Sequence, residues 1–184
     1  LIGTSLLVFL DQIQSDDQHV YDLAYHNRGQ LAAPPETTVF EPPDKPGYSY
    51  LRDTKARVSS SPLSVCFDLG GGKQVQWALA GGDQPTLVTG TGVGRHTEDR
   101  VSLVIARREG RATAYLWCVS LQSSGEPLEL QTADVKLPDG SDPGQDSVAA
   151  VSVKTTSGTH ILVANPEGRP LVIGDERVYG RIVL

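Results

Sequence analysis

The chain has 184 residues, of which 39% are hydrophobic and 21% are charged, proportions that are ordinary for one folded domain. The net charge of −6 argues against the basic surface that nucleic-acid binding requires, so we expect no nucleic-acid partner. No apolar run approaches the roughly 20 residues of a membrane-spanning helix, so we expect no membrane partner either.

Turn residues divide the sequence into many short segments. The chain contains 19 Gly and 12 Pro, and these punctuate runs that are rich in β-branched and aromatic residues. No segment keeps the 3.6-residue hydrophobic period of an amphipathic helix for more than two turns. We therefore predict an all-β fold, an antiparallel multi-stranded β-sandwich in which residues 1–184 form a single domain.

The first predicted elements are two strands joined by a polar turn. Residues 4–13 and 19–26 are β-rich, and residues 15–18 predict a polar turn from which the second strand returns. The Pro-rich segment 32–46 predicts a long surface loop, because proline cannot donate a ladder hydrogen bond. A short edge strand is predicted within it, at residues 37–40.

Further predicted strands follow in chain order at short spacing. They cover residues 48–58, 63–69, 75–79, 86–89, 100–107, 113–121, 128–135, 148–155, 160–164, 170–173 and 178–184. Gly, Pro, Ser and charged residues between them predict tight turns. These turns lie at residues 70–73, 108–111, 157–158 and 165–168.

The two cysteines lie in strand-like runs. Cys66 and Cys118 are both flanked by apolar residues, which favours two buried free thiols. A single disulfide between them would require an oxidising compartment, and the sequence leaves that alternative open. The C-x-x-C spacing of zinc fingers is absent.

Residues 7–31, LVFLDQIQSDDQHVYDLAYHNRGQL, carry the most specific pattern in the chain. An apolar strand ends in Asp, a polar turn follows, and the next strand reads Tyr-Asp-x-x-x-His before closing on Gly. This pattern resembles the C-terminal β-domain of the heparinase II/III-like polysaccharide lyases. The matching residues are Asp11, Tyr21, Asp22, His26 and Gly29. Residues 101–120 and 168–184 resemble later hairpins of the same domain.

The resemblance implies β-elimination on an acidic polysaccharide that contains uronic acid, of the alginate or heparin/heparan type. This chemistry removes the proton beside a carboxylate, and it needs a base, an acid and neutralisation of the carboxylate charge. In the family, most of these groups lie in an N-terminal helical domain. We therefore expect the chain, which opens at Leu1 without Met, to be the C-terminal part of a longer periplasmic or secreted lyase. Alone, it should be inactive.

His26 is the main candidate site residue. The resemblance implies that it is catalytic, or that it binds one divalent metal ion, zinc or calcium, together with Asp11. With a tight turn, Asp11 would lie opposite Asp22, and His26 would lie roughly 13 Å further along the strand. Shared metal binding would then require a bulge that shifts the register. The sequence leaves two other roles open for His26, as a direct substrate contact and as an ordinary hydrogen-bonded strand residue.

Tyr21, Tyr25 and Arg28 are the remaining candidates. Tyr21 and Tyr25 are candidate catalytic proton donors, although alternation along a strand places them on the face opposite His26, where aromatic residues commonly form core. Arg28 is a candidate substrate-binding residue, because a guanidinium pairs with a uronate carboxylate through two hydrogen bonds. A solvated surface arginine is the alternative.

A non-catalytic carbohydrate-binding or structural β-sandwich module is the competing class. In that interpretation, exposed Trp77 and Trp117 would stack on sugar rings. Leu6, Val8 and Leu10 share one face of the first strand, and they predict an apolar surface that covers another domain.

Overall fold

The computed structural model of the protein describes residues 6–32, 34, 37–59, 62–80, 84–123, 129–143, 148–155 and 158–183. Among these residues there are fifteen β-strands, one 3₁₀ turn and no α-helix. Every described strand pairing is antiparallel. The predicted all-β antiparallel class is therefore confirmed.

The larger sheet contains eight strands. They are β1 (Leu6–Asn27), β2 (Gln30–Leu31), β3 (Thr38–Val39), β4 (Arg52–Val58), β5 (Leu63–Gly70), β6 (Lys73–Leu79), β7 (Thr86–Val93) and β8 (Arg100–Ser123). Their order is β2-β5-β6-β8-β7-β4-β3, and β1 also pairs with β8. The sheet curls into a half-barrel.

Seven shorter strands form two further sheets. They are β9 (Glu129–Thr132), β10 (Val135–Lys136), β11 (Ala149–Thr155), β12 (Gly158–Ala164), β13 (Leu171–Ile173), β14 (Glu176–Val178) and β15 (Ile182–Val183). One sheet has the order β15-β12-β11-β9, and the other has the order β10-β13-β14.

The two longest strands, β1 and β8, form one continuous ladder. It runs from Leu6 opposite Ser120 to Asn27 opposite Ser102. Gln14 pairs with Ala112 and His19 pairs with Gly110, so residues 15–18 of β1 stand opposite the single residue 111 of β8. A bulge of this kind bends a strand and increases its twist.

The predicted turns at residues 15–18 and 108–111 are therefore wrong. Both segments lie at the β1–β8 bulge, where the chain continues in the same direction instead of reversing. Polar residues and glycine suit a bulge as well as a hairpin turn. Here each strand finds its hydrogen-bond partner in the other, far away in the sequence, rather than in its own neighbouring segment.

Two of the other predicted turns are confirmed, and one predicted strand begins later than expected. The hairpin at residues 70–73 is confirmed, with positive φ at Gly70, Gly71 and Gly72. The turn at 165–168 is confirmed by a hydrogen bond from the Gly168 N–H to the Asn165 carbonyl, 2.9 Å. Residues 48–50 form the 3₁₀ turn instead of a strand. Parts of five predicted elements, at residues 4, 5, 33, 35, 36, 128, 157 and 184, lie outside the described residues.

The core has an interior inside the curled sheet and a layer between two sheets. Trp77, Tyr115 and Phe67 are buried in the interior, so the prediction that Trp77 is exposed for sugar stacking is wrong. The second layer joins Leu6 and Leu116 of the large sheet to residues of β11 and β12, which is the packing of a sandwich.

The apolar face predicted on the first strand is covered within the described fold. Leu6 is buried, and Val8 and Leu10 pack against the same cluster as β11 and β12. The opposite face of this strand is the exposed one, with Leu7 48% and Phe9 39% exposed. The alternation of the strand was predicted correctly, but the second sheet covers the face that was expected to be open.

Both cysteines are free thiols. Cys118 is buried and Cys66 is partly buried. Burial raises the pKa of Cys118 to about 12 and raises the pKa of Cys66 as well. This agrees with the free-thiol interpretation of the sequence, except that Cys66 keeps some exposure.

Candidate functional site

A cavity of about 430 Å³ lies on the outer face of the large sheet. One wall consists of strand residues, including Ala24 of β1 and Leu103 and Ile105 of β8. The facing wall belongs to residues 46–51, which contribute both Tyr48 and Tyr50. A volume of this size falls in the range of roughly 300–1,000 Å³ that is typical of small-ligand sites.

The cavity exists because the segment 40–51, which we call the strap, crosses this face of the sheet. Its first residue, Phe40, exchanges two hydrogen bonds with Thr54, at 3.0 and 2.6 Å. Phe40 and Leu51 pack on the buried side chains of the sheet's outer face. Three prolines keep the strap out of the sheet, because they have no N–H to donate to a ladder.

An ion pair between Asp22 and Arg107 ties the strap to β1 and β8. Arg107 Nε donates to Asp22 Oδ1 at 2.8 Å, and Nη2 donates to Oδ2 at 2.7 Å. The Tyr48 hydroxyl donates to the same carboxylate. The guanidinium also lies over the rings of Phe40 and Tyr48, 5.0 and 5.8 Å from their centroids.

The ionisation of these groups follows from the contacts. Hydrogen bonding to Asp22 raises the pKa of Arg107 above its usual value. Burial, followed by the Asp22 carboxylate, raises the pKa of Tyr48. At neutral pH Arg107 is therefore positively charged and Tyr48 is protonated.

His26 lines the cavity four residues beyond Asp22, on the same face of β1. Burial lowers the pKa of its imidazole, which favours the neutral form of the ring. Within the described ranges, no group forms a hydrogen bond with this imidazole. A neutral imidazole offers one donor and one acceptor, and its Nε2 side packs against Gly92 of β7.

The structure does not bring Tyr21 and Tyr25 to His26. Both belong to the cluster inside the curled sheet, on the opposite face of β1. Tyr25 packs edge-on against Phe67 at 5.6 Å, and the Tyr21 hydroxyl donates to the Arg111 carbonyl at 3.3 Å. The face alternation in the sequence predicted this separation. It argues against their proposed role as proton donors beside His26.

Asp11 and His26 do not fit a shared metal site. Asp11 pairs with Tyr115 across the ladder and Asp22 pairs with Arg107, so neither has the register that a tight hairpin would give. Their partners on β8, Tyr115 and Leu103, are twelve positions apart, a path of roughly 40 Å at 3.3 Å per residue. Asp11 instead accepts a hydrogen bond from Trp117 Nε1 at 2.7 Å. The described residues contain no cluster of three or more His, Cys, Asp or Glu suited to a metal.

Arg28 already has a carboxylate partner. Its Nη2 lies 2.6 Å from Oδ2 of Asp99, and its side chain remains 58% exposed. The same carboxylate accepts the Arg95 N–H at 2.8 Å. The hydrogen bond from Arg28, which has the larger effect, and the bond from the Arg95 N–H lower the pKa of Asp99 to about 2. Arg28 would have to exchange Asp99 for a uronate in order to bind substrate.

The sequence interpretation missed Tyr48 and Tyr50 as cavity residues, and it missed the ion pair of Arg107 with the cavity residue Asp22. The available signal was Pro46-Gly47, a pair typical of a turn, shortly before Tyr48 and Tyr50. The two tyrosines were instead assigned to the start of the strand predicted at residues 48–58. No local signal pairs Arg107 with Asp22, because 85 residues separate them.

Comparison with known protein families and with curated proteins gives no match for this sequence. The described residues contain no helix with the length and apolar surface that crossing a bilayer requires. The functional argument therefore depends on the cavity and on the pattern in residues 7–31.

Proposed function

We propose that the chain is the C-terminal β-domain of a periplasmic or secreted polysaccharide lyase, which cleaves a uronic-acid-containing polysaccharide by β-elimination. The pattern in residues 7–31 supports this class. The observation that carries the site is the imidazole of His26, which makes no hydrogen bond within the described residues and lines the cavity together with Tyr48 and Tyr50.

In this proposal His26 acts as a base. A neutral imidazole can accept the proton beside the uronate carboxylate, and such a base contributes about 10²–10⁴-fold to a rate. Tyr50 takes the place of Tyr21 and Tyr25 as the candidate acid for the leaving oxygen. Its side chain is 47% exposed, and its hydroxyl has no hydrogen-bond partner among the described residues.

The N-terminal helical domain of the same protein completes the proposed site. The reaction needs a positive charge beside the uronate carboxylate. No lysine or arginine is found among the described residues that line the cavity. The partner domain would supply that charge, which is why the chain alone should be inactive.

The test is elimination by the longer protein, followed by the ultraviolet absorbance of the unsaturated uronate product. His26→Ala should reduce the rate at least about 100-fold, while His19→Ala, which removes an exposed histidine outside the cavity, should not. Full activity in the His26→Ala protein would remove the site assignment. Turnover by the isolated chain would overturn the division of labour between the two domains.

A non-catalytic carbohydrate-binding module is the second candidate. The observation that favours it is the exposed face of β1, where Phe9 stacks on Trp117 with ring centroids 4.1 Å apart. Aromatic faces of this kind bind the apolar faces of sugar rings. Two results together would favour this function over the lyase. The chain would bind polysaccharide and lose that binding in Phe9→Ala, and the longer protein would not cleave the polymer.

A further inference from the structure

We propose that the cavity beneath the strap binds an uncharged pyranose ring and discriminates against a uronate ring at the same position. This inference rests on the proposed function only in taking the ligand to be a sugar. In a polymer, the ring held in the cavity would be the neighbour of the reacting uronate, which would lie outside the cavity, at the edge where His26 and Tyr50 are exposed.

The shape and surface of the cavity fit one face of a pyranose. Ala24, Leu103 and Ile105 make one wall apolar, and the side chains of Tyr48 and Tyr50 face it. A pyranose presents C–H groups on its faces, which suit apolar and aromatic walls, and hydroxyl groups around its edge. Binding sites for small ligands commonly combine such walls with a few polar groups that fix orientation.

The polar groups of the cavity suit hydroxyl groups. The Tyr50 hydroxyl can donate or accept a hydrogen bond, and so can the His26 ring through the nitrogen that does not face Gly92, depending on its tautomer. Neither has a hydrogen-bond partner among the described residues. Tyr48 differs, because its hydroxyl is committed to Asp22.

The charge distribution disfavours a carboxylate. The carboxylate of Asp22 lines the cavity, and the guanidinium of Arg107 is already bound to both of its oxygens. The nearby Arg52 side chain donates to the carbonyls of Ser49 and Leu51. A uronate would therefore lose hydration beside an existing carboxylate without gaining an unpaired cation, which is costly.

The experiment measures binding of two matched probes to the 184-residue chain by NMR titration. The probes are methyl β-glucopyranoside and methyl β-glucopyranosiduronate. They differ only at C6, which is a hydroxymethyl group in the first and a carboxylate in the second. We expect the neutral glycoside to bind with a Kd at least about tenfold lower, which corresponds to roughly 1.4 kcal/mol. It should shift the imidazole resonances of His26.

Variants locate the binding. Tyr50→Ala should weaken binding of the neutral glycoside about tenfold. Tyr179→Ala should leave it unchanged, since Tyr179 is an exposed tyrosine outside the cavity. Both residues are exposed, so both variants should fold, and circular dichroism checks this.

Three outcomes would overturn the proposal. These are equal or tighter binding of the uronate, no binding of either glycoside, and binding that Tyr50→Ala does not weaken. Phenol serves as a third probe, and a cavity that binds phenol but neither glycoside takes an aromatic ligand instead. No polymer is cleaved in this assay, so its failure leaves the lyase test standing. Loss of the lyase function would likewise leave a positive binding result intact.

Discussion

The imidazole of His26 lies directly against Gly92 of β7. A Cβ atom built at residue 92 would stand 2.6 Å from His26 Nε2, closer than real contacts allow, although the backbone of Gly92 is not in the left-handed region. Because Gly92 of β7 has no side chain, the imidazole of His26, the candidate base on β1, can occupy this position.

Gly92→Ala should displace the imidazole while leaving the fold intact, because the clash is with the end of a side chain that can rotate away. As the ring becomes more exposed, its pKa should rise toward the ordinary 6.5. NMR titration of the imidazole protons measures this. In the wild type, the folded protein binds a proton at His26 more weakly than the unfolded chain does. The free energy of unfolding should therefore decrease as pH falls below about 6.5. An unchanged pKa and unchanged ring shifts would contradict the contact.

The Asp22–Arg107 pair should contribute more to stability than the Arg28–Asp99 pair. Side-chain exposures are 12% and 17% in the first, against 58% for Arg28 in the second. Arg107→Leu leaves a carboxylate beside the strap without its cation. We expect the free energy of unfolding to fall by roughly 2–3 kcal/mol, between the values for exposed and for fully buried pairs.

Urea denaturation followed by tryptophan fluorescence measures the change. Arg28→Leu is the matched control and should shift the midpoint much less, because water screens the exposed pair. The double variant Asp22→Asn, Arg107→Leu should lose less free energy of unfolding than the two single variants lose together. Equal losses at the two pairs would show that burial does not distinguish them.

Arg28→Ala should raise the pKa of Asp99 from about 2 toward the ordinary 3.8. The rise should be partial, because the Arg95 N–H still donates to the carboxylate. A depressed carboxyl pKa adds stability that is present above about 3.8 and is lost as pH falls through about 2. The side-chain carboxyl ¹³C shift of Asp99 follows the titration. An unshifted midpoint in the variant would remove Arg28 as the main cause.

Cys118 should resist thiol reagents in the native protein. With a pKa of about 12, its thiolate fraction at pH 8 is about one in ten thousand, and its side chain is buried. Cys66 is partly exposed and should react first. Labelling with a chromogenic disulfide should therefore be biphasic, and Cys66→Ser should remove the faster phase. Guanidinium should make both thiols react together. A fast phase that survives Cys66→Ser would contradict the burial of Cys118.

Local features of the chain were predictable from sequence. The hairpin at residues 70–73 depends on glycines that accept positive φ. The assignment of His26 and Tyr25 to opposite faces of β1 depends on the two-residue period of any strand. Each of these properties belongs to a few neighbouring residues, so no distant partner is needed to produce it.

The cavity itself was decided by contacts that the sequence does not encode locally. Residues 15–18 form a bulge instead of a turn because β8, almost a hundred residues later, pairs with both halves of β1. The strap crosses the sheet where Arg107 can bind Asp22 and lie over Phe40. The all-β class followed from turn residues and hydrophobic periods. The site required the register of one long ladder, because register sets which distant side chains share a face.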